Sequence, residues 1–189
     1  PALGRWWNGV CAILDLSNPV DAAFLDDQLR ALIRDCGIDG FKFDGGDLGA
    51  YSNASMVNGC HRGTADGTYD PAEKNLAWNA FGSRYAYHEY KDTFKGGGKP
   101  VIQRLRDRNH SWTNDGIDTI IPNSLAQGLI GHPFICPDMI GGGEWSYNRP
   151  GFRVDEELFV RMAQVSVFFP MMQFSWAPWR VLSPEHLAI

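Results

Sequence analysis

The sequence has few basic residues and lacks a long apolar run. Its 189 residues contain 17 lysines and arginines against 22 aspartates and glutamates, which gives a formal net charge of -5. Because phosphate binding needs a basic surface, this charge argues against a nucleic acid as the partner. No apolar stretch approaches the roughly 20 residues of a membrane-spanning helix. The hydrophobic content of 44% is instead that of a globular domain with one core.

Signatures of metal and nucleotide binding are also missing. Cys11, Cys36, Cys60 and Cys136 are scattered, without the Cys-x-x-Cys spacing of a metal knuckle. The glycine run at 96–98 lacks the Lys-Ser/Thr of a phosphate-binding loop and precedes a strand instead of a helix. We therefore expect neither a metal nor a cofactor.

What the chain does contain is an alternation of apolar strands and helices. The run Gly9–Leu16 is predicted to be a strand buried on both faces, followed by a capped helix over about Val20–Cys36 and then a second strand. Such a βαβ unit makes the two strands parallel neighbours. Asp15 and Asp44 would then lie at the same sheet edge, although Asp15 could equally be a loop or cap residue.

The stretch Gly37–Asp47 is the central candidate for a catalytic strand end. Its strand pattern runs into two glycines, so the last side chains sit where the backbone bends. Lys42 and Asp44 are two residues apart and leave the same face of the strand. A lysine beside a carboxylate favours the ionised form that a nucleophile needs, and the alternative is a strand-end salt bridge followed by a turn.

The same pattern of strand, loop and helix continues to the end of the chain. Leu48–Asp70 is rich in glycine, serine, asparagine and threonine, which predicts either a long loop over an active site or a partly disordered segment. The further predicted helices cover about 71–90, 117–129 and 155–169, and the further predicted strands cover 100–105, 132–138 and 171–176.

This alternation is typical of a (β/α) barrel, in which chemistry gathers at the carboxyl ends of the strands. A doubly wound open sheet is the competitor, but the first βα turn lacks the Gly-x-Gly-x-x-Gly fingerprint. A closed (β/α)8 TIM barrel typically needs about 250 residues. We therefore expect 1–189 to be a fragment of a (β/α)8 catalytic domain, comprising the middle-to-late strands of a larger enzyme.

Four separated segments resemble, in the same order, glycoside hydrolase family 31. They are Phe41–Asp47, Arg104–Asp115, Gly131–Gly142 and Phe168–Ser175. The resemblance covers nearly the whole chain and is greatest to the α-galactosidase-like branch of that family. It implies a retaining α-glycosidase that hydrolyses a terminal α-linked sugar, an α-galactoside, in an oligosaccharide or glycoside substrate.

The resemblance also implies two catalytic residues. Asp44 matches the family's nucleophile, and Asp115, in the loop that follows Trp112, matches its acid/base. Asp115 is expected to be desolvated by the Trp112 ring and so held protonated. The retaining mechanism places the two carboxyl groups about 5–5.5 Å apart across a cleft.

Further side chains are expected to bind the sugar. Lys42 and Arg104 match positions of the family's subsite for the bound sugar, and Asp138, which matches the aspartate before the family's glycine pair, is a further substrate-binding candidate. Trp7 and Trp112, two of seven tryptophans, are candidate platforms for sugar rings. Asp15, from the first strand end, completes the expected substrate-binding set.

The sequence departs from the family's pattern beside the acid/base and after the last predicted strand. Asn114 and Gly116 flank Asp115 where the family has glycine and asparagine, so a one-residue shift would put an amide at the catalytic position. Ser175 replaces a sugar-binding histidine of the α-glucosidases, which points away from glucose.

Each assignment has an alternative. Asp115 could cap the helix that begins at Ile117. Arg104 could pair with Asp107, and Asp138 could be an ordinary loop carboxylate. The corresponding alternatives for the whole protein are an α-galactosidase of a related family with a strand-end Lys-x-Asp, and a non-catalytic carbohydrate-binding or impaired hydrolase on the same barrel.

Overall fold

The computed structural model describes residues 2–6, 9–47, 70–143 and 150–189. Trp7 and nearly all of the predicted loop over 48–70 lie outside these ranges. The chain divides into two compact units, Pro1–Gly96 and Gly97–Ile189, here called the first and second units.

The first unit combines an antiparallel hairpin with a pair of parallel strands. Strands β1 and β2 form the hairpin, and β3 and β4 are parallel. In chain order its elements are β1 (Ala2–Trp6), β2 (Gly9–Ile13), α1 (Pro19–Cys36), β3 (Gly40–Phe43), α2 (Pro71–Gly82) and β4 (Tyr87–Tyr90).

The hairpin corrects the prediction for the first strand. Strand β2 pairs with β1, with Trp6 opposite Gly9, and is not a parallel neighbour of β3. Val10 is exposed, so β2 is not buried on both faces. An apolar run looks the same in a hairpin and in a buried parallel strand, and two strands that follow closely in sequence readily pair with each other.

Helix α1 confirms the predicted N-terminal cap and is also capped at its C-terminal end. The Asn18 side chain accepts a hydrogen bond from the Val20 N–H at 2.9 Å. At the other end Gly37 adopts the left-handed conformation with φ 66° and donates to the Ile33 carbonyl at 3.0 Å. A left-handed residue satisfies the last carbonyls of a helix, and glycine adopts it without strain.

Aromatic side chains pack α2 against β3 and β4. The ring of Phe43 stacks on Tyr90 at 5.2 Å and meets Trp78 edge-on at 5.3 Å. The predicted helix over 71–90 is too long, because Gly82 ends it and Tyr87–Tyr90 forms β4. A side chain at Gly82 would collide with the Tyr90 hydroxyl and the Phe43 ring, so the close packing at the end of α2 requires glycine.

The second unit carries the remaining predicted strands and helices. Strands β5 and β6 are parallel, as are β7 and β8. Its core is formed by Ile140, Leu158, Phe159 and Met162. Its elements are β5 (Ile102–Arg104), a 3-10 helix (Ile117–Thr119), α3 (Ile120–Leu129), β6 (Phe134–Cys136), β7 (Met139–Ile140), α4 (Glu156–Ser166), β8 (Gln173–Phe174), α5 (Pro178–Val181) and α6 (Pro184–Leu187).

Helix α4 begins as predicted, whereas the helix predicted from Ile117 starts with the 3-10 helix, and α3 begins three residues later at Ile120. Pro122 lies in the first turn of α3, where a missing N–H costs no helical hydrogen bond. Asp155 caps α4 by accepting from the Leu158 N–H at 3.1 Å. The helix ends at Ser166, three residues before the predicted end at 169.

Candidate active-site residues

Lys42 and Asp44 lie at the carboxyl end of β3 in the first unit. Lys42 is on the strand, and Asp44 directly follows its last residue. Both side chains are exposed. The next two residues, Gly45 and Gly46, have φ values of 72° and 77°, so the backbone bends immediately after Asp44 through a conformation that favours glycine. The predicted strand end is confirmed.

Asn75 of α2 holds the bend that follows Asp44. Its fully buried side chain donates to the Gly46 carbonyl at 2.6 Å and accepts from the Phe94 N–H at 2.9 Å. The Trp78 indole packs so closely on Gly46 that a side chain there would collide with it. One helix therefore fixes the loops that follow both β3 and β4.

Asp15 is bound to α2 and does not share a sheet edge with β3. Its carboxylate lies 2.8 Å from the Lys74 ammonium and accepts hydrogen bonds from the backbone and hydroxyl of Ser17. Burial opposes ionisation of Asp15, but the Lys74 and Ser17 contacts outweigh it and lower its pKa below the ordinary value. The loop interpretation is therefore the one that its contacts favour.

Arg104 and Asp138 form a buried ion pair at the ends of β5 and β6. The Arg104 Nη1 atom lies 2.7 Å from Asp138 Oδ1 and 2.9 Å from Asp107 Oδ1. The predicted alternative pairing with Asp107 is therefore present, together with a stronger partner. Burial raises the pKa of Asp138, although the Arg104 charge and the Arg108 N–H oppose this shift.

Asp115 lies in a tightly bonded loop of the second unit. Asn114 and Asp115 have φ values of 57° and 63°, in the left-handed region that few residues other than glycine adopt. Asn109 holds both: its N–H donates to the Asp115 carbonyl at 3.0 Å, and its side chain donates to the Asn114 carbonyl at 2.7 Å. The Asp115 carboxylate is 41% exposed.

The surroundings of Asp115 differ from those predicted. Its carboxylate lies 3.7 Å from Arg106 Nη1 and 4.0 Å from Arg108 Nη1. The Trp112 indole N–H donates to Asp155 at 2.9 Å, and the expected cover of Asp115 by this ring stays a prediction. The N-cap of the 3-10 helix is Gly116, one residue beyond Asp115, which weakens the helix-cap interpretation.

Arg108 and His110 were missed by the sequence analysis. Arg108 is fully buried, yet it stands in a mixed-charge run that gives no sign of which side chain is covered. The His110 Nε2 atom accepts from the Asp155 N–H at 2.8 Å, and Nδ1 bonds to the Gly141 carbonyl at 2.9 Å. Burial lowers the pKa of His110, which matches the neutral tautomer that these two bonds require.

The described ranges hold no group of three or more His, Cys, Asp or Glu side chains that could bind a metal ion. No helix within the described part of the chain is long and apolar enough to cross a membrane.

Residues 1–180 match the family described as "Glycosyl hydrolases family 31 TIM-barrel domain". The chain therefore belongs to glycosyl hydrolase family 31. Its α/β fold with parallel strands is a partial TIM barrel, as predicted.

The chain is also similar to two curated proteins and to solved structures. The chain is 32% identical over 190 residues to the myogenesis-regulating glycosidase of Mus musculus, covering 95% of this chain and 25% of that protein. It is 42% identical over 80 residues to the SITS-binding protein of Tetronarce californica, covering 42% of this chain and 11% of that protein.

The structure of a GH31 family sulfoquinovosidase from E. rectale, in complex with an aza-sugar inhibitor, superposes with a TM-score of 0.74 at 19% identity. The superposition covers 96% of this chain and 28% of that one and shows a shared fold. The chain thus spans about a quarter of the myogenesis-regulating glycosidase and of the sulfoquinovosidase, at 25% and 28%, and 11% of the SITS-binding protein.

Proposed function

We propose that the protein is a retaining α-glycosidase that hydrolyses a terminal α-galactoside, with Asp44 as nucleophile and Asp115 as acid/base. The observation that carries the proposal is the position of Asp44. It directly follows a parallel strand, at a glycine bend, with Lys42 on the same strand of a family 31 domain. Carboxyl ends of barrel strands are where TIM-barrel enzymes keep their chemistry.

The reaction has two displacement steps. In the first, the Asp44 carboxylate attacks the anomeric carbon while Asp115 donates its proton to the departing glycosidic oxygen, which leaves a glycosyl ester on Asp44. In the second, Asp115 takes a proton from water, and the water oxygen attacks the anomeric carbon and breaks the ester. Both carboxyl groups return to their starting states, and the sugar retains its configuration.

The remaining candidates would shape the sugar site in different ways. Lys42 is exposed on the strand that ends at Asp44 and is suited to bind a sugar hydroxyl. The buried Arg104 and Asp138 pair would fix the loop beyond β5. Trp112 is exposed and offers a ring face for stacking, and Trp7 remains a candidate platform. Asp15, bound to Lys74, would act through the loop it holds.

A non-catalytic carbohydrate-binding protein is the second candidate. The observation that favours it is the polar environment of Asp115, whose carboxylate is 41% exposed and 3.7 Å from the Arg106 guanidinium. A general acid is commonly held protonated by an apolar pocket, which these contacts do not supply.

Release of 4-nitrophenol from its α-galactoside by the full-length protein separates the two candidates. Asp44→Ala should lower kcat by at least about 1,000-fold, or roughly 4 kcal/mol in activation free energy, because it removes the nucleophile. Asp39→Ala, an exposed carboxylate just before the other end of β3, is the matched control and should keep normal turnover.

Two outcomes distinguish the hydrolase from the binding protein. Near-normal hydrolysis by Asp44→Ala contradicts the nucleophile assignment. A folded wild-type protein that binds α-galactosides without cleaving them supports the binding protein instead.

A further inference from the structure

Arg108 is a buried cation that the proposed reaction does not use directly. Its side chain is 0% exposed. One guanidinium nitrogen donates to the Thr119 hydroxyl. In the amide orientation that satisfies both groups, the Asn123 carboxamide oxygen accepts from Nη1 and Nη2 at 3.1 Å each. A buried guanidinium held by several acceptors has one defined position.

The backbone of Arg108 is fixed as firmly as its side chain. Its N–H donates to Asp138 Oδ2 at 2.8 Å, and its carbonyl accepts from the Gly143 N–H at 2.8 Å. A Cβ atom on Gly142 would lie 3.0 Å from that carbonyl, so the close approach depends on glycine. The main chain is thus bound to the segment after β6, while the guanidinium reaches the start of α3.

This fixed guanidinium points toward the candidate acid/base. Its Nη1 atom lies 4.0 Å from Asp115 Oδ1. The other charged groups facing Arg108 are Asp138, Arg106 and Asp118. Arg106 also approaches Asp115, at 3.7 Å, but its side chain is 72% exposed. Water screens the charge of Arg106 far more than that of Arg108.

The loop that carries Asp115 needs support of this kind. Asn114 and Asp115 both hold left-handed backbone conformations, which persist only where the surrounding structure imposes them. We infer that Arg108 is a positioning residue for Asp115: its main chain is bound to the segment after β6, its guanidinium is bound to the start of α3, and the fixed charge, 4.0 Å from Oδ1, orients the Asp115 side chain for proton donation. The inference rests on the proposed role of Asp115 as acid/base.

The dependence of kcat/KM on the leaving group tests this inference in the full-length protein. 2,4-Dinitrophenolate departs without protonation, whereas phenolate needs a proton from the acid. Asp115→Ala and Arg108→Met should therefore both reduce kcat/KM more for phenyl α-galactoside than for 2,4-dinitrophenyl α-galactoside. We expect this extra loss to be at least about ten-fold for Arg108→Met. A purely structural defect would lower both rates by the same factor.

Two further variants complete the comparison. Arg106→Met removes a cation at a similar distance, and because that cation is screened it should change the ratio by less than about two-fold. Arg108→Lys keeps the charge but loses the planar fork that reaches Thr119 and Asn123, and it should give an intermediate ratio. If circular dichroism shows that Arg108→Met does not fold, the ratio measured for Arg108→Lys tests the positioning role.

Failure of the inference differs from failure of the proposed function. If Asp115→Ala shows the extra loss and the folded Arg108 variant keeps the wild-type ratio, the positioning role is wrong and the acid/base assignment stands. If Asp115→Ala itself keeps the wild-type ratio, the acid/base assignment is wrong and the inference falls with it.

Discussion

Single residues in the second unit show how a buried charge is balanced. The Arg104 guanidinium is 1% exposed and has two carboxylate partners of different character. Asp138 is buried with it, whereas the Asp107 side chain is 38% exposed. Removing one member of a buried pair leaves an uncompensated charge in a medium that solvates it poorly. A partly exposed partner is replaced more easily, because water reaches the site.

This difference predicts unequal costs for two matched substitutions. Asp138→Asn should lower the free energy of unfolding by about 3–5 kcal/mol, because Arg104 loses its buried counter-charge. Asp107→Asn, at the same guanidinium nitrogen, should cost about 1 kcal/mol or less. Urea unfolding of both variants at neutral pH measures the two costs. Equal costs would contradict the account of the buried pair.

Sequence reasoning reached some of these residues and missed others for a physical reason. Lys42 and Asp44 were found because an alternating strand pattern ends in a glycine bend. Arg106 and Arg108 look equivalent in sequence, and only contacts with distant residues make one exposed and the other buried. The indole N–H of Trp112 likewise bonds to a carboxylate 43 residues away, a contact that its sequence neighbours do not indicate.

Among the elements, α2 connects three strand ends. Lys74 binds Asp15 beyond β2, and Asn75 binds the backbone beyond β3 and β4. Neither contact could be read from the sequence, because the segment 71–82 shows only a helix start and aromatic residues. The hairpin of β1 and β2 was missed because a short apolar run does not specify its partner, and β4 was missed because its sequence, Tyr-His-Glu-Tyr, is not an apolar run.

The Lys74 contact predicts a pH-dependent stability. The folded pKa of Asp15 is lowered, so its contribution is complete above the unfolded pKa of about 3.9 and is lost as pH falls through the folded pKa. Lys74→Met should therefore reduce the free energy of unfolding by about 1–3 kcal/mol at pH 7, because Asp15 stays partly buried without its partner. Near pH 2 the cost should be smaller.

Urea unfolding at the two pH values measures this contribution. Arg30→Met is the matched control, because the Arg30 and Asp26 pair is an exposed i,i+4 pair worth about 0.5 kcal/mol or less. A cost for Lys74→Met that is the same at both pH values would contradict the linkage to Asp15.

On the scale of the whole molecule, large apolar side chains lie open in both units. Phe24 and Leu32 of α1 are exposed in the first unit, and Phe168 and Trp179 are exposed in the second. An apolar groove also runs beside α4 and is lined in part by Val167 and Met172. Exposed apolar surface of this extent is typical of a surface that another part of a protein covers.

We therefore predict that residues 1–189 alone are not a functional unit. Expressed by themselves they should aggregate or unfold with weak cooperativity, because the exposed apolar faces favour association. Light scattering and thermal unfolding of the isolated chain, beside the full-length protein as control, measure this. A monomer with one sharp, reversible transition would contradict the prediction.

The family and the partial TIM barrel were predicted correctly from the sequence, because four motifs of the family occur in one order along the chain. The proposed reaction needs two carboxyl groups, and the assignment of Asp44 as the nucleophile is its central claim.

Trapping of the glycosyl ester tests that claim most directly. With 5-fluoro-α-galactosyl fluoride, fluorine slows both displacement steps while the good leaving group lets the ester form, so the intermediate accumulates on the nucleophile. Mass spectrometry of the digested full-length protein should place the sugar on Asp44 and find no label in Asp44→Asn. A label on another carboxylate, or turnover of the reagent with no covalent intermediate on Asp44, would contradict the account.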